Sequence, residues 1–276
     1  MHWILTLAFG GVVGFSLGLT GGGGAIFAVP LLVYGLGVAP REAVTLSLVA
    51  VGVTALIGFL GRWRSRLVEV RTGLVFAAAG MMGAPVGTWL SGLMPEAVLL
   101  ILFAVLMLAM AARMWTRASV PTVGDASVDS SDSTGKRRPA CRRDGEGRLL
   151  LTSRCMCLLI AIGIAAGILS GLFGVGGGFV IVPALVLFSG MSIRIAIGTS
   201  LMVIALISAS GIASHLMAGR VFSIETASLF VAGGVAGMVL GSCLGQYLSG
   251  RTLQRVFAVA IVCVAIFVIV RTGFAA

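Results

Sequence analysis

The sequence predicts an all-α polytopic membrane protein made of two inverted repeats, each a glycine-broken helical hairpin followed by three transmembrane helices. Three observations carry that expectation. The chain is 59% hydrophobic and only 10% charged, where soluble domains carry roughly 25% charged residues. Apolar runs recur along nearly the whole length, which suits helices rather than the short alternating strands of a barrel. The chain also repeats itself: sliding it by 153 residues superposes 18–48 on 171–201 without a gap, with 14 of 31 positions identical. The matches include Gly18 with Gly171, Gly23 with Gly176, Pro30 with Pro183, Arg41 with Arg194 and Ser47 with Ser200, pairs that apolar composition alone would not produce.

The first repeat, 1–112, holds apolar segments at 3–19, 24–37, 43–61, 72–93 and 96–112. The start, Met1-His2-Trp3, lacks the basic flank of a signal peptide and is expected to belong to the fold. Residues 113–154 are rich in Ser, Asp and Arg and include Pro121 and Pro139. Such a stretch cannot bury a core, so a disordered, cytoplasmic linker is expected there. The second repeat, 155–276, has segments at 155–173, 178–190, 195–214, 224–248 and 253–270.

In each repeat the first two segments flank a glycine run, Gly21 to Gly24 and Gly174 to Gly178. Residues 3–37 as one helix would be roughly 50 Å long, too long for one crossing of a roughly 30 Å hydrocarbon core. Each leg alone, 14–17 residues, is short for a full span. A hairpin broken at the glycines is therefore expected, either re-entrant or formed of two tilted spans.

Basic residues set the orientation. Arg62, Arg64, Arg66 and Arg71 crowd one loop and nine more lie in 113–154, so both regions are expected inside. A hairpin whose legs enter and leave on one side gives each half an odd number of crossings. The halves are then inverted, both termini lie outside, and sixteen of the nineteen basic residues are inside.

A helix that stops inside a bilayer leaves backbone N–H and C=O groups without water. Paired interruptions in corresponding halves point to a secondary transporter with its site between the repeats. The helix that restarts after the glycines presents free N–H groups and the positive end of its dipole, and glycine lets an anion approach the backbone. The expected donors are Gly23, Gly24, Gly176, Gly177 and Gly178. Ser47, Thr199 and Ser200 are candidate coordinating hydroxyls, with Thr20, Thr45 and Ser170 behind them, and Pro30 and Pro183 are candidate helix-break residues. His215 is a candidate for gating or pH sensing, with an interfacial histidine as the alternative. Arg41 and Arg194 either steer an anion or anchor at the headgroups.

Five of the nine carboxylates lie in the linker, and Glu42, Glu69, Glu96 and Glu225 sit at segment ends. No predicted span carries a central Asp or Glu, the usual mark of a cation site, so the expected ligand is a small anion. No nucleophile stands beside a base and no phosphate loop is present, so an enzyme is not expected. The five scattered cysteines are expected to be plain thiols, and no cofactor or metal is implied. The net charge of +10 lies beside the spans and sets orientation rather than recruiting nucleic acid. The expected partners are a small anion and the lipid bilayer, with a homo-oligomer left open. A non-transporting membrane assembly subunit, its glycines serving helix packing only, is the alternative.

The second half resembles the sulfite exporter TauE/SafE family of membrane transporters. The residues that carry the likeness are Gly174-Val175-Gly176-Gly177-Gly178, Pro183, Ala196-Ile197-Gly198-Thr199-Ser200, His215 and Gly219. The first half follows the same pattern through Gly21 to Gly24, Pro30, Ala43 and Ser47, departing from it at Ala25 and at Thr45-Leu46. The resemblance covers all but the linker. It implies a multispanning inner-membrane permease for sulfite or an organosulfonate such as sulfoacetate.

Overall fold

The computed structural model describes residues 2–65, 67–119, 142–143, 149–150, 153–189, 191–220, 222–245 and 250–275. In the first half, α1 (His2–Thr20) leads to the glycines. A 3-10 turn (Gly23–Phe27), the short α2 (Ala28–Pro30) and a π turn (Leu31–Gly35) follow, then α3 (Pro40–Arg64), α4 (Val70–Leu93) and α5 (Glu96–Ser119). The second half has α6 (Ser153–Phe173), α7 (Gly178–Ser189), α8 (Ile193–Met217), α9 (Ile224–Leu244) and α10 (Gly250–Ala275). Between them α5 runs past the expected boundary, and Arg142–Arg143 pairs antiparallel with Leu149–Leu150. The rest of the expected linker lies outside the described residues.

Among the described residues, six helices are long and apolar enough to cross a membrane: Trp3–Thr20, Pro40–Arg64, Val70–Leu93, Cys155–Phe173, Ile193–Met217 and Ile224–Leu244. This corrects one expectation. The first leg of each hairpin is a full-length helix, about 28 Å for α1 at 1.5 Å per residue, and only the second leg is short. α1 extends its expected segment by one residue at each end, and α6 begins two residues before its expected segment.

The helix ends follow from local chemistry. Pro40 occupies the first turn of α3, where its missing N–H costs nothing. Glu42 in that first turn and Arg62 and Arg64 in the last complement the helix dipole. Ser223 caps α9, its Oγ accepting the Thr226 N–H.

The two halves interlock by exchanging neighbours. α1 lies along α9 and α6 lies along α4, while α3 pairs with α8 and α5 with α10. The first two contacts are lined by glycines whose absent β-carbons let backbones touch. A β-carbon on Gly14 would strike the Gly234 carbonyl, and one on Gly167 the Gly80 carbonyl. Gly237 likewise abuts the Gly11 carbonyl, and Gly83 the Ile164 carbonyl. Small residues at such seams replace the hydrophobic driving force that lipid removes. α3 and α8 form the centre and run antiparallel: Thr45 near the start of α3 meets His215 near the end of α8, and Gly52 faces Ser208. Outside, Ile4, Leu60, Met82, Trp89 and Leu93 are exposed, an apolar surface suited to lipid.

Candidate functional site

Both helix breaks are buried against the central α3–α8 pair. α1 ends as Gly21 turns to φ +72°, and α6 ends as Gly174 turns to φ +72°, a left-handed conformation that glycine adopts without the β-carbon penalty. The backbone groups released there are met in the same way twice. Gly21 N–H donates to the Leu17 carbonyl and Gly174 N–H to the Ser170 carbonyl, each at 2.8 Å. Ser200 Oγ donates to the Gly21 carbonyl at 2.6 Å, and Ser47 Oγ to the Gly174 carbonyl at 2.6 Å. Each serine thus holds the break of the opposite half. The helix-terminal carbonyl of Gly18 accepts from Arg62 Nη2 at 3.4 Å, and that of Gly171 lies 3.2 Å from His215 Nε2.

The breaks meet each other. A β-carbon on Gly22 would lie 2.6 Å from Gly178 Cα, and one on Gly178 would lie 2.6 Å from Gly22 Cα, so the two backbones are in contact. Gly24 is buried against Ser16, while Gly23 is half-buried with Thr20 Oγ1 3.2 Å from its missing β-carbon. Gly176 and Gly177 both take φ +66°; the first faces Ile204, Val51 and Ser208, the second the Ala166 carbonyl. The Gly177 carbonyl accepts from Val180 and Ile181 at 3.0 and 3.2 Å, which starts α7. The N–H groups of Gly178 and Phe179 stand at that helix start, where no intrahelical acceptor exists.

The other residues singled out by sequence fall differently. Thr199 Oγ1 accepts the Glu69 N–H at 2.9 Å and so ties α8 to the segment before α4. Thr20 Oγ1 donates back to the Ser16 carbonyl at 2.8 Å. The prolines do not mark the breaks themselves: Pro30 sits where α2 passes into the π turn, and α7 runs unbroken through Pro183. Arg194 is exposed at the start of α8. Arg41 is exposed and pairs with Glu96 at 3.7 Å while donating to the Met94 carbonyl. Cys157, Cys243 and Cys263 are free thiols, but Cys155 is disulfide-bonded, against the expectation of plain thiols throughout.

His215 is fully buried, in the last turn of α8. With the Nε2 proton directed at Gly171, Nδ1 accepts from Arg220 Nη1 at 2.9 Å. Arg220 also donates to Ser91 Oγ and to the Thr88 carbonyl, so it binds the end of α4 to the end of α8. Burial, and secondarily the neighbouring Arg41 guanidinium, lowers the Arg220 pKa from its ordinary value. Sequence reasoning missed Arg62, Arg220 and Ser208. The signal for Arg62 was present: it and His215 are 153 residues apart, as are Gly18 and Gly171.

The sequence profile of the sulfite exporter TauE/SafE family matches residues 6–268. A probable membrane transporter protein of Xylella fastidiosa strain Temecula1 is 36% identical over 277 residues, covering 98% of this chain and 95% of the relative. The probable membrane transporter protein YunE of Bacillus subtilis strain 168 is 26% identical over 269 residues, covering 95% of each. No solved structure matches the chain. A profile match that runs through both glycine breaks and nearly every helix settles the membership: the chain belongs to the sulfite exporter TauE/SafE family and is a multi-pass membrane transporter, not an enzyme.

Proposed function

We propose that the protein is a secondary transporter of the inner cell membrane that carries a small anion, sulfite or an organosulfonate. The anion binds between the repeats 1–112 and 155–276, which are inverted across the bilayer, joined through the cytoplasmic segment 113–154 and leave both termini outside. The observation that carries this reading is the contact of the two breaks at Gly22 and Gly178, each break held from the opposite half by Ser47 or Ser200. Backbone donors at Gly23, Gly24, Gly176, Gly177 and Gly178 meet the anion when the breaks part, with Thr199, Ser47 and Ser200 beside them. The antiparallel α3 and α8 support the inversion, because equivalent ends of equivalent helices then face opposite sides. The terminal positions of the four carboxylates outside 113–154 support an anion over a cation. Glycine-lined seams such as Gly14 against Gly234 favour the second reading, a subunit whose glycines serve close packing alone.

Flux in proteoliposomes separates the two. The wild-type chain is expected to move sulfite or a sulfonate, and Gly177→Val, which crowds the Ala166 carbonyl from a left-handed backbone, to abolish that flux. A variant that inserts normally and transports as before overturns the glycine site, and wild-type protein that moves no small anion favours the subunit.

A further inference from the structure

Among the described residues, two buried hydroxyls have no hydrogen-bond partner, those of Ser170 and Ser208, and both residues are 0% exposed. Such an atom is costly, because its desolvation is uncompensated. A serine inside a helix ordinarily returns its proton to a carbonyl one turn back, as Ser214 does to Ser210. The hydroxyls of Ser47, Ser200, Thr20, Thr45 and Thr199 near the breaks are all engaged.

Both orphans adjoin the same break. Ser170 lies one turn before Gly174 and accepts the Gly174 N–H with its carbonyl, leaving its side chain free. Ser208 Oγ would be 3.4 Å from a β-carbon on Gly176. The repeat-equivalent positions of the first break, 153 residues earlier, carry no hydroxyl: Leu17 and Ala55 stand there. It differs a second way, since Gly174–Gly178 opens into the twelve-residue α7, whereas Gly23–Phe27 is a 3-10 turn followed by three α-helical residues. Among the described residues, the second break thus combines unpaired side-chain donors with a helix start of useful length.

We propose that the side-chain donors to the anion come from the second break, the Ser170 and Ser208 hydroxyls, beside the first N–H groups of α7. This rests on the reading of the protein as an anion transporter. The ligand is a small oxyanion, whose several acceptor oxygens match O–H and N–H donors arriving from α6, α7 and α8. The first break serves as the opposing wall, through Gly22.

The test is binding of sulfite and of sulfoacetate to the purified full chain in detergent, by calorimetry, with melting temperatures measured without ligand. Ser208→Ala and Ser170→Ala are each expected to weaken binding about tenfold or more, the worth of a hydrogen bond to a charged group. Their ligand-free melting temperatures should not fall, because no bond is lost. Ser208→Cys, close in volume and a poor donor, is expected to fold normally and bind weakly. Ala55→Ser should leave affinity unchanged. Undiminished binding in both alanine variants overturns the assignment and leaves the transporter reading standing. A drop in ligand-free melting temperature that accompanies the loss of binding also overturns it, by making the hydroxyls structural. Failure of the wild-type chain to bind either anion removes the transporter reading for these anions, and this inference with it.

Discussion

Arg62 and His215 hold equivalent places in the two halves and perform one task with different chemistry. Each reaches from the last turn of a central helix to the carbonyl of a glycine in the last turn before a break, Gly18 for the arginine and Gly171 for the histidine. Those carbonyls lack an intrahelical donor because the helix ends there. The symmetry is broken only in the donor: one half uses a guanidinium, and the other an imidazole backed by Arg220.

His215 should accordingly matter for stability in a way that a helix-surface residue would not. His215→Ala strands the Gly171 carbonyl and removes one acceptor from Arg220, a loss of about 1–3 kcal/mol for groups out of water. His215→Gln, which keeps an N–H donor, should recover part of it. Thermal melting of the detergent-solubilised chain checks the order wild type, glutamine, alanine; an alanine variant as stable as wild type would contradict the role assigned here.

The reciprocal serines provide a symmetric test. Ser47→Ala and Ser200→Ala each remove the donor to a break carbonyl of the other half, at a cost of about 1 kcal/mol or more for a buried acceptor left unpaired. Because the two breaks touch at Gly22 and Gly178, the losses are expected to couple rather than add. A double-mutant cycle on melting data measures that coupling, and strict additivity would mean that the breaks behave independently.

Glycine is essential at the seams and dispensable where no neighbour approaches it. A side chain at Gly14 or Gly167 would press on a facing backbone carbonyl, whereas one at Gly61 meets nothing within 4 Å. Gly14→Val and Gly167→Val are expected to prevent a monodisperse fold by size-exclusion chromatography, and Gly61→Ala to leave it intact. Retention of a normal elution profile by the valine variants would show that the helices can separate without loss of structure.

The duplicated glycines disclosed the two breaks, the helical hairpins and the number of apolar elements, because a left-handed turn and a backbone contact both demand the same residue. Hydrogen-bond partners were less legible. Ser47 and Ser200 stood out because the repeat keeps both, yet each is engaged with a carbonyl 127 or 179 residues away along the chain. What a duplication keeps is architecture. Ser208, paired in the repeat with Ala55, carried no such signal, and only its buried, unpartnered oxygen brings it forward.

The exchange of neighbours has a consequence for biosynthesis. α1 leaves the ribosome well before α9, the helix that its glycine face fits. α4 likewise waits for α6. Neither half can close its own seams, so the early helices must rest in the bilayer, or against an insertase, with their bare backbone faces uncovered until the second half arrives. The seams therefore close only once the second half is made, and a truncated first half is expected to lack them.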